Sequence, residues 1–493
     1  MHLLQTILSR LRRAPWRTVI VDDQRSWRAG VLYAGALNLA SILERETDRP
    51  HVGIMLPTAG VYPMSILASW MLGRTIVPLN YLLAPDDLAY VIEHAELDTV
   101  ITAGPMLERF GPLPSGVRAL ELDQLSLGGL PRPRRSIGRD AEALAALVYT
   151  SGTSARPKGV MLSAGNLESN VRQCVEWAGF SRSDTMLGVL PQFHSFGLTV
   201  LTLLPLATGC RVIYTARFMP ARLLELFAAH RPTAFIGIPS MFNALLSAKT
   251  ASRDHFSSLR YLVSGSEPLA RSVQEGFRER FGVLINEGYG LTETAPVTNW
   301  CRPQEHRPGS VGPPLPGVEE CIKGESGEIL PPDTDGEVCI RGANVMRGYY
   351  KQPEATAAVF DEEGYLRTGD MGRFDEAGHL YITGRIKEML IIAGENVFPR
   401  EIEEVLNAYP TVHASAVIGL PDATRGEVPL AFVELEEGAE FDERALRSYC
   451  REHLAQFMVP RHIHRLDALP RNPTGKIQRR RLTPELAGLT PER

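Results

Sequence analysis

The sequence predicts an α/β protein that ends in a smaller α+β unit, and three observations carry that expectation. From residue 19 to about 300, short β-like runs alternate with helical stretches, the pattern of layered sheets with largely parallel strands. After Pro303 the texture changes to short alternating runs between Gly, Pro and Asp turns, as in an antiparallel meander. Near Arg385 a new helix–strand–strand–helix pattern begins. A chain of 493 residues also exceeds what one core holds, since cores stop growing near ~250–300 residues.

Taken in order, the opening MHLLQTILSRLRR sets Leu4, Leu8 and Leu11 on one helical face. A stripe of three turns predicts a helix packed on its own domain, with a membrane-surface helix as the alternative. Strands are expected at 52–56, 76–77 and 99–102, and helices at 31–44, 62–72 and 85–93. A polar, proline-broken connection at 130–139 leads into an apolar strand at 144–148. A second run offers strands at 211–214 and 234–238 and helices at 223–230 and 240–247. The meander texture places strands at 327–330, 336–341, 365–368 and 379–383. The last unit has an amphipathic helix at 401–409, with Ile402, Val405, Leu406 and Tyr409 on one face. Strands at 414–420 and 429–435, a helix at 443–454 and the basic tail PRNPTGKIQRRRL follow. The division is 1–385 and 386–493.

A formal charge of −5 gives no electrostatic reason to expect nucleic acid, and the arginines at Arg132, Arg134, Arg135 and Arg479 to Arg481 are expected to be solvated loop and terminal charges. The six cysteines are scattered without a C-x-x-C pair, as for reduced thiols. No apolar run reaches ~18 residues and no cleavage pattern follows the first helix. The expectation is a cytoplasmic chain without a transmembrane segment, with peripheral association with a membrane as the alternative.

The stretch richest in chemistry is YTSGTSARPKGV, Tyr149 to Val160. A loop that leaves a strand and offers several hydroxyls, glycine amides and a lysine suits a polyphosphate. It is not the Walker pattern, because no Gly-Lys-Ser/Thr closes it onto a helix. Alone it reads as readily as a surface turn.

Together with YGLTET, YLRTGD, GRIKEMLIIAGENVFPREIEEV and PRNPTGKIQRR, in that order, this stretch resembles the adenylate-forming superfamily of acyl-CoA synthetases, peptide-synthetase adenylation domains and beetle luciferases. The resemblance covers about Val19 to Leu482. It implies a large N-terminal domain of α/β lobes with a β-barrel-like region, and a small mobile C-terminal domain. It also implies two reactions: a carboxylate attacks ATP to give acyl-AMP, and a thiol, usually that of coenzyme A, then displaces AMP. A carrier-protein phosphopantetheine is the alternative acceptor, and a non-catalytic nucleotide- or acyl-binding descendant is an alternative of another class.

By this resemblance Lys476 bridges the acyl carboxylate and the α-phosphate, while Thr150, Ser151, Gly152, Thr153, Ser154 and Lys158 hold the outer phosphates. The family has Thr-Gly where this chain has Ser154-Ala155. Glu293, with Thr150, is expected at a magnesium ion, and Thr292 at phosphate. Tyr289, between Gly288 and Gly290, would stack on adenine against a second wall of Gly265, Ser266, Glu267 and Pro268. Asp370 and Arg385 match the ribose pair, His194 the position beside the acyl carboxylate, Lys387 the hinge, and Gly394 the pantetheine tunnel. Amino-acid-activating relatives place an aspartate near His194. This chain has none between Phe193 and Leu198, which points to an acid without an α-amino group. The expected acid is fatty or otherwise apolar, with residues 191–200 and 235–242 as pocket segments and Trp177 nearby.

Overall fold

The computed structural model describes residues 3–132, 134, 140–150, 156–422, 424–471 and 476–489. Alternating apolar runs and helices build two mostly parallel sheets. The six-stranded sheet runs Arg118–Glu121, Thr99–Thr102, His51–Ile54, Thr75–Pro78, Leu144–Thr150 and Lys158–Ser163, antiparallel only at its last pair. The eight-stranded sheet runs Val297–Trp300, Asn286–Gly290, Tyr261–Ser264, Ala234–Gly237, Thr185–Gly188, Arg211–Tyr214, Thr18–Val21 and Ser26–Arg28, antiparallel only at its two ends. Thr185–Gly188 lies between Arg211–Tyr214 and Ala234–Gly237, so the chain leaves it first to one side and then returns on the other. Such a switch point opens a crevice at the carboxyl ends of the strands. The segment carrying His194 and the turn at Ile238 both emerge there.

Two expectations change here. The expected loop at 149–160 has strand at both ends: the strand continues through Thr150, and Lys158 opens its antiparallel neighbour, with Tyr149 opposite Gly159 and Thr150 opposite Lys158. The crossing is tight, because a Cβ on Gly159 would stand 3.1 Å from Leu147 and Tyr149 side chains. The second change is at 327–330, which pairs only through a single bridge, Lys323 to Ile329, while the unpredicted Val318–Lys323 is the actual edge strand.

The first helix, Leu3–Arg13, buries Leu3, Leu4, Ile7, Leu8 and Leu11 against neighbours including Ala29–Glu46 and Leu204–Thr208. Its apolar face is therefore covered by its own domain and is not available to a bilayer. No described helix is long and apolar enough to cross a membrane. The six cysteines are buried and free.

The β-rich region is an antiparallel meander of Val318–Lys323, Gly336–Gly342, Leu366–Phe374 and Leu380–Arg385. Bridges from Asn299 to Pro314 and from Gly312 to Leu380 tie it to the edge of the eight-stranded sheet. That seam sets Asp370 and Arg385, cross-strand partners, beside Tyr289. Beyond Arg385 the apolar clusters are separate. One is built from Leu390, Ile402, Leu406, Ala431, Val433 and Ile463, and a smaller one of Ala416, Leu430 and Phe432 seats Leu469 and Leu482 of the tail.

Candidate active site

A cavity of about 1900 Å³ opens where the two sheets, the meander and the C-terminal tail meet. Thr150, Lys158, His194, Gly265, Ser266, Glu267, Gly288, Tyr289, Gly290, Thr292, Glu293, Arg385, Lys387 and Lys476 line it. Residues separated by more than three hundred positions thus converge on one space. Asp370 stands one layer behind, with Tyr289 and Arg385 in front of it. Pro268 lies on an exposed turn and is not part of the wall. Ser151, Gly152, Thr153 and Ser154 lie outside the described residues. Gly394 is not brought to the cavity: it sits in the turn between Leu390–Ile392 and Glu395–Val397, exposed and with open space around it.

Local backbone geometry presents these groups. Gly290 has φ 158°, and a Cβ there would fall 1.8 Å from the Pro296 carbonyl oxygen, so the chain passes Pro296 only as glycine. This crossing holds Tyr289 on one side and Thr292 and Glu293 on the other. Ser266 adopts φ 73°, a left-handed conformation uncommon for serine, where the chain turns out of the Tyr261–Ser264 strand. His194 precedes the short helix Ser195–Leu198, and Ser195 Oγ lies 3.1 Å from Thr292 Oγ1, linking the switch-point loop to the Thr292 turn.

The hydrogen bonds are charge-assisted at the centre. Asp370, only 3 % exposed, accepts from Tyr289 Oη at 2.7 Å and from Arg385 Nε at 2.8 Å. Asp370 chiefly, against burial, raises the proton affinity of Arg385. Burial lowers that of Lys476, reinforced by the Arg385 charge and opposed by Glu267, Asp370 and Glu388. Burial raises Glu267, with Lys476 the largest opposing influence.

His194 is depressed to about 4, by burial first and by Lys476 second, so it is a neutral imidazole near pH 7. An unfolded histidine titrates near ~6.5, so folding excludes the proton. The stability this group contributes is complete above that value and is lost as pH falls toward about 4. His194→Gln is expected to flatten the stability-against-pH curve across that window. Urea midpoints between pH 4 and 7 measure it, and an unchanged acid slope would refute it.

Sequence reasoning missed Tyr349. Its hydroxyl donates to Glu293 Oε1 at 2.9 Å, and Lys158 Nζ lies 4.8 Å from its ring centre. The GYYK segment gave no signal of this, since only the fold brings it to the two charged residues. One tail arginine also differs from expectation: Arg479 is engaged by carboxylates, whereas Arg480 and Arg481 are exposed, at the border of the cavity that Arg109, Arg217 and Arg471 also line. Trp177 is behind the wall: its Nε1 donates to the Trp300 carbonyl at 2.8 Å, and Trp300 lines the cavity.

For a divalent cation the donors fit in part. Burial raises Glu293, opposed by a backbone amide and by the Tyr349 hydroxyl, which donates to Oε1. No three His, Cys, Asp or Glu side chains gather for a metal among the described residues. A hard cation here would take most of its oxygens from ligand phosphates and water, as magnesium does.

Known proteins share this arrangement. A family model described as AMP-binding enzyme matches residues 8–350, and the AMP-binding enzyme C-terminal domain matches 401–476. A long-chain-fatty-acid–CoA ligase of Bacillus subtilis is 32% identical, covering 98% of this chain and 94% of the relative. A feruloyl-CoA synthase of an Amycolatopsis species is 32% identical over 95% of this chain and 96% of its own. The solved structure of ATP-bound MatB from Rhodopseudomonas palustris superposes with a TM-score of 0.89 at 31% identity, covering 97% and 98% of the two chains. With sequence, fold and cavity in agreement along nearly the whole chain, the protein belongs to the AMP-binding enzyme family, the adenylate-forming superfamily, and is an AMP-forming acid–thiol ligase.

Proposed function

We propose that this acid:CoA ligase activates an apolar carboxylic acid with ATP and magnesium and transfers the acyl group to coenzyme A. The observation that carries the reading is the meeting, at one cavity, of Lys476 from the C-terminal tail with His194, Glu293, Tyr289 and Arg385 from the larger unit. In the first reaction an oxygen of the acid attacks the α-phosphorus, the bond to the β-phosphate oxygen breaks, and pyrophosphate leaves. Two anions must approach, so fixed positive charge is needed where the phosphorus becomes five-coordinate. Lys476 supplies it in this reading, with Lys158, Thr150 and residues 151–154 holding the departing phosphates. Tyr289 faces adenine against the 265–267 wall, and Asp370 with Arg385 takes the ribose hydroxyls. Glu293, helped by Thr150 and with Thr292 at phosphate, would hold the magnesium ion, which screens phosphate charge when bound. Neutral His194 places no second cation beside Lys476 and can hydrogen-bond the acyl carboxylate.

In the second reaction the thiol sulfur, having lost its proton, attacks the acyl carbon, and the bond to AMP breaks. One site serves both reactions if the unit 386–493 turns about Lys387, withdrawing Lys476 and bringing Gly394 toward the pantetheine. The relatives' names include a long-chain fatty acid and ferulate, so relationship alone leaves the acid open. Apolar side chains favour an apolar one: Phe196, Val200, Ile238, Met241, Val263 and Trp300 line the same cavity as His194.

A panel of acids assayed for pyrophosphate release tests this, with CoA and a holo carrier protein as alternative acceptors. Apolar acids with CoA are expected to turn over, and α-amino acids are not; a preference for amino acids or for the carrier protein would overturn the reading. Trp300 is 4% exposed and packs at a tilt against the Tyr261 and Phe180 rings, which brace it in the cavity wall. Trp300→Leu is expected to shift kcat/KM toward acids longer by a few carbons by about 10-fold or more, since each methylene contributes ~1–3 kcal/mol. An unchanged ranking of acids would remove Trp300 from the wall.

A further inference from the structure

We infer that Arg479 is a positioning residue that fixes the C-terminal tail so that Lys476 reaches the cavity, and that it does so by clamping the tail to the helix Pro399–Asn407 and to the turn at the proposed hinge. The inference rests on the proposed role of Lys476 and goes beyond it. Arg479 Nε donates to Glu403 Oε1 at 3.0 Å, Nη2 to Glu403 Oε2 at 2.5 Å, and Nη1 to Glu388 Oε2 at 2.9 Å. All three nitrogens of one guanidinium are used, in a fork geometry that lysine cannot reproduce. Glu403 is itself immobilised: 6% exposed, it also accepts the Val417 amide at 2.8 Å. Glu388 lies in the turn Ile386–Glu388, next to Lys387 and three residues past Arg385.

Other contacts also anchor the tail near Lys476: the Ile477 amide donates to the Glu267 carboxylate of the large unit, and Ile477 and Leu482 pack on the smaller apolar cluster. Ile477 bridges to Arg471, Gln478 N donates to the Pro470 carbonyl at 2.7 Å, and Arg471 pairs with Glu434 at 2.7 Å. These latter contacts close the tail on itself and on the sheet of the small unit. Arg479 joins it to the segment through which the two units connect. Any turn at Lys387 then carries Lys476 as part of one rigid lever rather than on a loose end. Glu388 also raises the proton affinity of Lys476, against the lowering by burial, so the clamp and the charge of the lysine are coupled.

The experiment uses the full-length enzyme and two separated half-reactions: acid-dependent ATP–pyrophosphate exchange, and conversion of supplied acyl-AMP with CoA. Arg479→Gln is expected to lower exchange about 100-fold, the scale of a misplacement of roughly 1 Å, while the second half-reaction stays within about 3-fold. Glu388→Gln, which weakens one bond of the clamp and removes a negative charge near Lys476, is expected to show the same selective loss in smaller measure and serves if Arg479→Gln folds poorly. In a Lys476→Ala background Arg479→Gln is expected to add nothing, measured by single turnover, because both changes remove one action. Equal falls in both half-reactions, a multiplicative loss in the double variant, or unchanged exchange would overturn the inference. If Lys476→Ala alone leaves exchange intact, the role of the lysine fails first, and that result is distinct from the others.

Discussion

Lys476→Ala is expected to lower acid-dependent ATP–pyrophosphate exchange by about 10²–10³-fold, the usual consequence of removing one preorganised group from developing anionic charge. The same variant is expected to convert chemically supplied acyl-AMP to thioester at close to the parental rate. The split follows from geometry. Lys476 comes from the small unit and reaches the cavity shared with Arg385 and Glu267, and the second reaction has no five-coordinate phosphorus for it to stabilise. A pH profile sharpens the test. Burial and then Arg385 lower the proton affinity of Lys476, so exchange should decline as pH rises through a value below that of an ordinary lysine. Lys476→Arg, if it retains activity, should move that alkaline limb upward, because guanidinium stays charged. Equal loss of both half-reactions in the alanine variant would contradict the division of labour.

How much of this was legible in the sequence depended on whether the signal was local. The strand at Thr99–Thr102 and the helices Pro85–His94 and Pro239–Ser247 emerge close to their expected bounds, because hydrophobic period, proline at the first helical turn and short connections act within a few residues. The edge strand Val318–Lys323 was missed because its partner Gly336–Gly342 is what makes it a strand, and VEECIK alternates weakly on its own. The helix Ala164–Ala178 did carry a signal: Ser163 and Asn166 form a capping box, with asparagine where glutamate is usual. At the site, the motif residues were found by resemblance, and the cavity gathers most of them. Tyr349 and Arg479 were not found, because each acts through partners 56, 76 and 91 positions away. A run of arginines near a terminus reads as solvated charge until the fold supplies carboxylates to meet it.

The second large effect is expected at Asp370. Its carboxylate is almost wholly buried behind the cavity wall and already accepts from Tyr289 and Arg385; each oxygen keeps a second lone pair, which two ribose hydroxyls reach if the half-exposed Arg385 side chain moves aside. Asp370→Asn keeps the shape but places an amide donor against either the guanidinium or the phenol. Hydrogen bonds to a charged group contribute about 1.5–3 kcal/mol each, so losing the charge from two ribose contacts should reduce kcat/KM for ATP by about 10²–10³-fold. Stability should fall less, by about 1–2 kcal/mol, because the Arg385 side chain is 44% exposed and water can replace part of what it loses. Ribose-deleted nucleotides separate the causes. The parental enzyme should prefer ATP over 2′-deoxy-ATP, and Asp370→Asn should lose most of that preference. A variant that is destabilised but keeps the full preference would mean that Asp370 only braces Tyr289 and Arg385, and that the ribose is recognised elsewhere. A variant that loses the preference with its urea midpoint nearly unchanged would place the carboxylate on the nucleotide itself, because bracing alone cannot tell one ribose hydroxyl from its absence.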